Sequence, residues 1–325
     1  MTTPERQTTA PIPARRADEQ PDAERARTAL QWAASRAAEN DPGKKPSSAE
    51  PPPRPTPAEW RALDVRAMRE VVDGFLVMPG AEHGLDALFE LGFLDVWLPE
   101  VASMVGFGDG EWRHKDVWKH TKQVVRQSVP RLSVRWGALL HDIGKPRTRK
   151  IDDRGRVTFH GHAEVGARMY RRKTAKRMGF EGELDERIHF LILHHLRPSQ
   201  YEESWTDSAV RRFHQQMGDG LTDLLDLSRA DITTKRPEKR KRGVRNIADL
   251  RKRIEVLAKE DSKVKPLPKG LGQAIMARFG IPPSKRLGDL MKLLEEDAES
   301  GALGVQEDFD HYLDHMAAHP ERFEL

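Results

Sequence analysis

From Pro57 onward the apolar residues recur at three- and four-residue intervals, a period that fits helices and little else. Trp60, Leu63, Met68, Val71, Val72, Phe75 and Leu76 fall near that spacing. The next stretch, GLDALFELGFLDVWLPEVASM, reads as two short helices broken at Gly92. Segments 117–129, 133–143, 162–178, 184–195, 206–217 and 220–232 read as helices as well. RKIDDRGRVTF alternates instead, around Asp153-Arg154-Gly155, as one small hairpin or an irregular loop. The predicted fold is all-α, a helical core with flanking helices before and after it. No internal repeat is present.

Residues 1–56 contrast with this pattern. They are rich in Pro, Ala, Arg, Glu and Ser and poor in large apolar side chains. Such a segment buries too little apolar surface to offset its ordering entropy, so a disordered arm is expected, with a short helix near Glu24 to Ala38. The predicted division is an arm at 1–56, a helical lead-in at 57–113, a core at 114–235, and a helical region at 236–325 with a basic start and an acidic end. The chain of 325 residues suffices for one large domain or two smaller ones. No apolar run of about 18 residues is found, so no membrane span is expected. The N-terminus lacks a basic-then-apolar leader pattern, and a cytoplasmic protein is expected.

The chain contains no cysteine. Disulfides, thiolate ligands and cysteine nucleophiles are thereby excluded, and any metal must be held by His, Asp or Glu. Net charge is only +4, but the charge is unevenly placed. Residues 235–253 carry ten basic and two acidic side chains, and the stretch from Arg168 to Arg177 has six basic residues and no acid. Such clusters attract phosphate backbones, so RNA is a candidate partner through 235–253. The competing reading is a solvated helix face. No aromatics interleave with these charges, so base stacking is not indicated.

The strongest local signal is Leu139-Leu140-His141-Asp142-Ile143-Gly144-Lys145-Pro146. An apolar helix runs to its end at His141-Asp142. Gly144 is expected in a left-handed C-cap, with Pro146 preventing continuation. Imidazole and carboxylate together suit divalent metals, and Lys145 follows as a point charge able to meet a phosphate. His120 lies upstream; His162, the pair His194-His195, and Asp231 lie downstream, all on or beside apolar helical stretches. Unpaired polar groups are costly there, and a polar seam shared by four or five helices is the simplest use for them. His160 and His189 are read as ordinary core or surface histidines.

The order His120, His141-Asp142, His162, His194-His195, Asp231, with its HDxGK element, resembles the HD-domain superfamily of metal-dependent phosphohydrolases over about residues 114–235. The resemblance implies a first metal held by His120, His141, Asp142 and Asp231. It matches His162, His194 and His195 to the extra histidines of members with a second metal, bridged by Asp142. Which of His194 and His195 ligates stays open, since adjacent helical residues point about 100° apart. One or two divalent transition-metal ions are implied, with Mn, Fe, Co, Ni and Zn all compatible with the donors. Catalysis would then depend on Asp142 and Lys145, through metal-activated water.

Both flanks carry a further likeness. GLDALFELGFLDVWLPEVASM with HKDVWKHT, and later GLGQAIMARFGIPPSKRLGDLMKLLEEDAESGAL, resemble the body of bacterial CCA-adding enzymes and poly(A) polymerases with a C-terminal HD domain, over about residues 60–303. Those enzymes begin with a nucleotidyltransferase head bearing a Gly-Gly turn and a paired Asp motif. No Gly-Gly occurs in this chain. What the likeness implies is therefore the hydrolase, a phosphomonoesterase or 2′,3′-cyclic phosphodiesterase acting on a phosphate ester, nucleotide or RNA end. The alternatives are a signalling-nucleotide phosphodiesterase and a non-catalytic RNA-binding module.

Overall fold

The structure is a computed structural model that describes residues 22–38, 50–107, 116–153, 155, 157–262 and 265–325. The parts of the expected arm at 1–21 and 39–49 lie outside these residues. The chain forms two compact units, the first reaching Ile254 and the second spanning Glu255–Leu325.

The first unit opens with a helix inside the expected arm. Helix α1 (Glu24–Ala37) buries Ala26, Ala29, Leu30, Ala33 and Ala37. It packs against α3 (Val65–Leu76) and α4 (Ala81–Glu90). The short helix expected near Glu24 to Ala38 is thus present, at Glu24–Ala37. Alanines count for little in an apolar tally, yet at three- and four-residue spacing they let helix backbones approach closely. Between α1 and α3, α2 (Pro57–Arg61) starts on a capping box in which Thr56 and Glu59 satisfy each other's backbone donors. Its Trp60 is fully buried, donates Nε1–H to the Leu91 carbonyl at 3.1 Å, and meets Phe93 edge-on. Gly92, at φ +80°, makes the expected break before α5 (Phe93–Trp97), and α6 (Pro99–Ala102) follows.

The remaining helices of this unit are α7 (Val117–Gln127), α8 (Leu132–Leu140), α9 (Lys145–Thr148), α10 (His162–Met169), α11 (Ala175–Met178), α12 (Gly182–His194), α13 (Asp207–Met217), α14 (Leu221–Ala230) and, as far as Ile254, α15 (Pro237–Asp261). α8 is central. Val134, Arg135, Trp136, Gly137, Ala138, Leu139 and Leu140 are all buried, and α7, α12 and α14 pack around it. A helix apolar on all sides belongs in the middle of a bundle. α10 and α11 form one rod, joined by a π turn at Tyr170–Thr174, as the 162–178 period predicts. The alternating stretch forms a two-stranded antiparallel hairpin, β1 (Lys150–Ile151) on β2 (Val157–Thr158), the only sheet among the described residues.

Two expectations around the His-Asp pair change. Gly144 lies at φ −79°, ψ −18°, so it is not a left-handed cap. A Cβ there would meet the His162 carbonyl oxygen at 2.1 Å. Glycine is required because the turn after Asp142 presses on the start of α10. Pro146 does not stop a helix either; it sits in the first turn of α9, where its missing N–H costs nothing.

The first unit includes the lead-in helices and runs on into α15, where Arg251 pairs with Asp226 at 2.7 Å and Arg253 with Asp207 at 2.6 Å. The second unit holds α16 (Leu271–Phe279), α17 (Lys285–Glu299), α18 (Phe309–Ala318) and α19 (Pro320–Phe323) around Leu271, Ile275, Leu294, Tyr312, Met316 and Phe323. Its one deeply set carboxylate, Asp297, accepts hydrogen bonds from Arg322 and faces His315 at 3.1 Å. Among the described residues no helix is long and apolar enough to cross a membrane.

Candidate metal centre

Six of the residues singled out by their order converge. α7 supplies His120, the end of α8 supplies His141 and Asp142, the start of α10 supplies His162, the end of α12 supplies His195, and the end of α14 supplies Asp231. Every one except His120 sits at or just beyond a helix terminus. There the chain changes direction, and side chains can project into a common cleft.

The cluster has two halves joined by one carboxylate. His120, His141 and Asp231 form one group of possible ligands, and Asp142, His162 and His195 a second. Asp142 Oδ2 lies 3.1 Å from His141 Nε2 and 3.5 Å from His120 Nε2. Its Oδ1 lies 3.3 Å from His162 Nε2 and 4.0 Å from His195 Nε2. Asp231 Oδ1 completes the first half, 3.0 Å from His120 Nε2.

Three imidazoles are fixed by the same local device. His141, His162 and His195 each donate Nδ1–H to the carbonyl three residues upstream, of Ala138, Phe159 and Ile192, all at 2.8 Å. With Nδ1–H given to a carbonyl, each ring turns its Nε2 into the cluster. Nε2 atoms face one another there, at 3.1 Å for His162 and His195. Asp142 Oδ1, fully buried, accepts no hydrogen bond. Opposed lone pairs and an orphaned carboxylate oxygen are costly unless a cation lies among them. The donor set, four imidazoles and two carboxylates, suits borderline divalent metals.

Charges within the cluster oppose one another: burial works to lower the His141 imidazole, but the charge and hydrogen bond of Asp142 raise it. Burial pushes the His195 imidazole down to about 4, with the neighbouring His141 adding to the effect, so the ring is neutral near pH 7. Burial works to raise the Asp142 carboxyl, but the charge and hydrogen bond of His141, with His162 and Lys145, hold it well below the usual range. Asp231 is likewise opposed by burial and held low, by His120 and His141. Both carboxylates are charged.

Two candidates are placed differently from the rest. His194 does not join the cluster; its ring packs on Phe190, centroids 4.8 Å apart. Of the adjacent pair, His195 enters the cluster, on the inward side of the helix end, and His194 does not. Lys145 does not stand free for phosphate, since its ammonium reaches Asp142 Oδ2 at 2.6 Å. One residue goes unsignalled by the sequence pattern. Thr233, buried two residues beyond Asp231, places Oγ1 2.9 Å from His120 Nδ1 and does for that ring what backbone carbonyls do for the other three. No spacing rule marks it.

The basic stretch 235–253 divides. Lys235, Arg236, Lys239, Arg240, Lys241, Arg242 and Arg245 are exposed and pair with no described residue, whereas Arg251 and Arg253 are tied to acids of the same unit. Beside the free cations lies a surface cavity of about 670 Å³, lined by Ser199, Tyr201, Lys239, Arg242, Arg245 and Asn246 among others. The stretch 168–177 divides too, with Arg171 on Asp185 and Arg177 on Glu100.

Residues 116–236 match the HD domain family. Over 247 residues the chain is 32% identical to the A-adding tRNA nucleotidyltransferase of Deinococcus radiodurans, an alignment covering 74% of this chain and 56% of that protein. It is 33% identical over 264 residues to the CC-adding tRNA nucleotidyltransferase of Thermus thermophilus, covering 79% and 58%. A shorter match, 31% over 99 residues, is to the multifunctional CCA protein of Pseudomonas paraeruginosa, covering 29% and 24%. The chain spans a little over half the length of the first two relatives. The two groups of metal-type donors thus lie within a region, residues 116–236, that matches the HD domain family, inside a sequence similar to tRNA nucleotidyltransferases over about three quarters of its length.

Proposed function

We propose that this chain is a metal-dependent phosphohydrolase acting on a phosphomonoester or a 2′,3′-cyclic phosphodiester at a nucleotide or RNA end. The observation that carries this reading is the position of Asp142, whose two oxygens face two separate groups of metal-type donors. The residues that would hold the first ion are His120, His141, Asp142 and Asp231; those for a second are His162, His195 and Asp142. Divalent ions such as Mn, Fe, Co, Ni or Zn supply Lewis acidity toward a phosphoryl oxygen and acidify a water molecule.

The chain's own groups do the rest. The Nδ1–H bonds of His141, His162 and His195 orient their rings before any ligand arrives. Lys145, at the rim with its ammonium against Asp142, brings positive charge to the place where phosphate charge builds. The relatives are named for work on tRNA, which favours an RNA end over other phosphate esters.

The test is turnover by the purified chain, reconstituted with manganese, on adenosine 2′,3′-cyclic phosphate and on p-nitrophenyl phosphate. Ring opening or phosphate release is expected. Asp142→Asn is expected to lose both metal and turnover. Lys145→Ala is expected to keep its metal and slow by about 10²–10³-fold, as for removal of one transition-state donor. A fully metal-loaded wild type inert on both substrates overturns the reading. The second reading, a non-catalytic RNA-binding module, is favoured by the seven unpaired cations between Lys235 and Arg245.

A further inference from the structure

A second group of free cations follows Asp142 closely in the sequence. After Asp142 the chain turns tightly, with Lys145 N–H bonded to the Asp142 carbonyl at 2.9 Å and Arg147 N–H to that of Gly144 at 3.2 Å. It passes through α9 into β1, where Lys150 pairs with Thr158 on β2. The next residue, Phe159, gives its carbonyl to His162 Nδ1. Both strands of the hairpin are therefore rooted in metal-type ligands, one in Asp142 and the other in His162. A cross-strand step of about 5 Å and one residue of about 4 Å keep the Lys150 backbone within about 9 Å of Phe159. The hairpin base is a lip of the cleft.

Arg147, Arg149 and Lys150 on this lip are exposed, and no described residue offers any of them an ion pair or a side-chain hydrogen bond. Several other surface arginines of the same unit find carboxylates, Arg126 on Glu82, Arg131 on Asp223 and Arg187 on Asp219, whereas the arginines at the start of α15 do not. The acids near the lip are Asp152 and Asp153 at the hairpin turn, beyond the strand that carries Lys150. Three like charges within four positions repel each other, and an anion relieves that repulsion. Arginine in particular suits phosphate oxygens, which it can bind with two parallel hydrogen bonds. A single phosphate would be accounted for by the metal centre and Lys145, which leaves the lip cations for another.

We propose that Arg147, Arg149 and Lys150 form a second phosphate subsite, so that the ligand of the metal centre carries a further phosphate beside the one attacked. The proposal rests on the hydrolase reading for the first phosphate. The shared chemistry is a nucleotide with two phosphates, whether a nucleoside bisphosphate or an oligonucleotide end with its adjoining phosphodiester.

The experiment is equilibrium binding to the full chain with saturating manganese, by calorimetry. The probes are adenosine 3′-monophosphate, adenosine 3′,5′-bisphosphate and the 3′-phosphorylated adenosine dinucleotide. At least one of the two-phosphate probes is expected to bind about tenfold or more tightly than the monophosphate. Preference for the bisphosphate alone identifies a nucleoside bisphosphate, and preference for the dinucleotide identifies an oligonucleotide end. The combined variant Arg147→Ala, Arg149→Ala, Lys150→Ala is expected to bring the ratio to about one while leaving monophosphate affinity unchanged. A ratio near one in the wild type, or a ratio unchanged in the variant, overturns the subsite. Turnover of adenosine 2′,3′-cyclic phosphate in the same samples reports on hydrolysis separately: a preserved ratio without turnover retains the subsite and removes the hydrolase.

Discussion

His162 and His195 present their Nε2 atoms to each other at 3.1 Å, while each ring's Nδ1–H is already given to a backbone carbonyl. Two neutral imidazoles so arranged repel through their lone pairs unless a cation is shared. The adjacent His194 has no part in this arrangement.

The two members of the histidine pair should therefore separate cleanly. His195→Ala is expected to lower bound metal by about one equivalent per chain after reconstitution, with the His120–His141–Asp231 half retained. His194→Ala is expected to keep the wild-type metal content. Elemental analysis of the two variants beside wild type checks this. Metal loss in His194→Ala but not in His195→Ala would reverse the assignment.

Thr233 is expected to act through His120. Thr233→Val removes the hydroxyl that meets His120 Nδ1 and leaves a side chain of similar shape. Loss of such an outer partner typically weakens metal binding about 10–100-fold. A chelator competition titration reads the affinity directly, and Thr233→Ser is expected to restore it. Wild-type affinity in Thr233→Val would show that the ring is held by packing alone.

Glu100 and Arg177 test the frame that supports α10 and α11. Glu100 is buried and receives two hydrogen bonds from Arg177, at 2.8 and 3.0 Å. Burial works to raise its carboxyl, but the Arg177 hydrogen bonds hold it below the ordinary value. A depressed folded-state pKa means that the contribution to stability is present above the unfolded carboxyl's range. It is lost as pH falls through the folded value. Arg177→Ala leaves a buried carboxylate unpaired and is expected to cost about 3–5 kcal/mol at pH 7. Urea melts of wild type and Glu100→Gln are expected to differ most near pH 7 and to converge as pH falls from the ordinary carboxyl value through the depressed folded one. A gap that widens on acidification would contradict the sign.

The free cations of α15 make the last expectation. Charge reversal at Lys239, Arg240, Lys241 and Arg242 is expected to weaken RNA binding. The slope of log affinity against log salt should flatten by roughly one unit for each phosphate that is no longer neutralised. Reversal of Arg251 and Arg253 is expected instead to destabilise the fold, because Asp226 and Asp207 lose their partners. Filter binding at several salt concentrations, with melts on the same variants, distinguishes these outcomes. Unchanged affinity and slope in the α15 variant would return the stretch to a solvated face.

The sequence by itself determined the helical class and singled out most of the side chains that the fold gathers into one cluster. The 162–178 period foretold a single rod because α10 and α11 bury one side along their whole length, and Gly92 foretold a break that only a positive φ could make. His120, His141, Asp142, His162 and Asp231 were legible as a set because residues with metal chemistry on apolar helices have few other uses. What the tertiary structure decided lies where elements far apart in the chain meet. Adjacent histidines look alike in sequence, and only the packing of α12 turns His195 inward and leaves His194 on Phe190. Gly144 carries no mark of its close approach to the His162 carbonyl, eighteen positions away. Thr233 is one threonine among many until α14 brings it to α7. Local period is written in the chain because each helix buries its own face, whereas such meetings arise only where helices from distant parts of the chain cross.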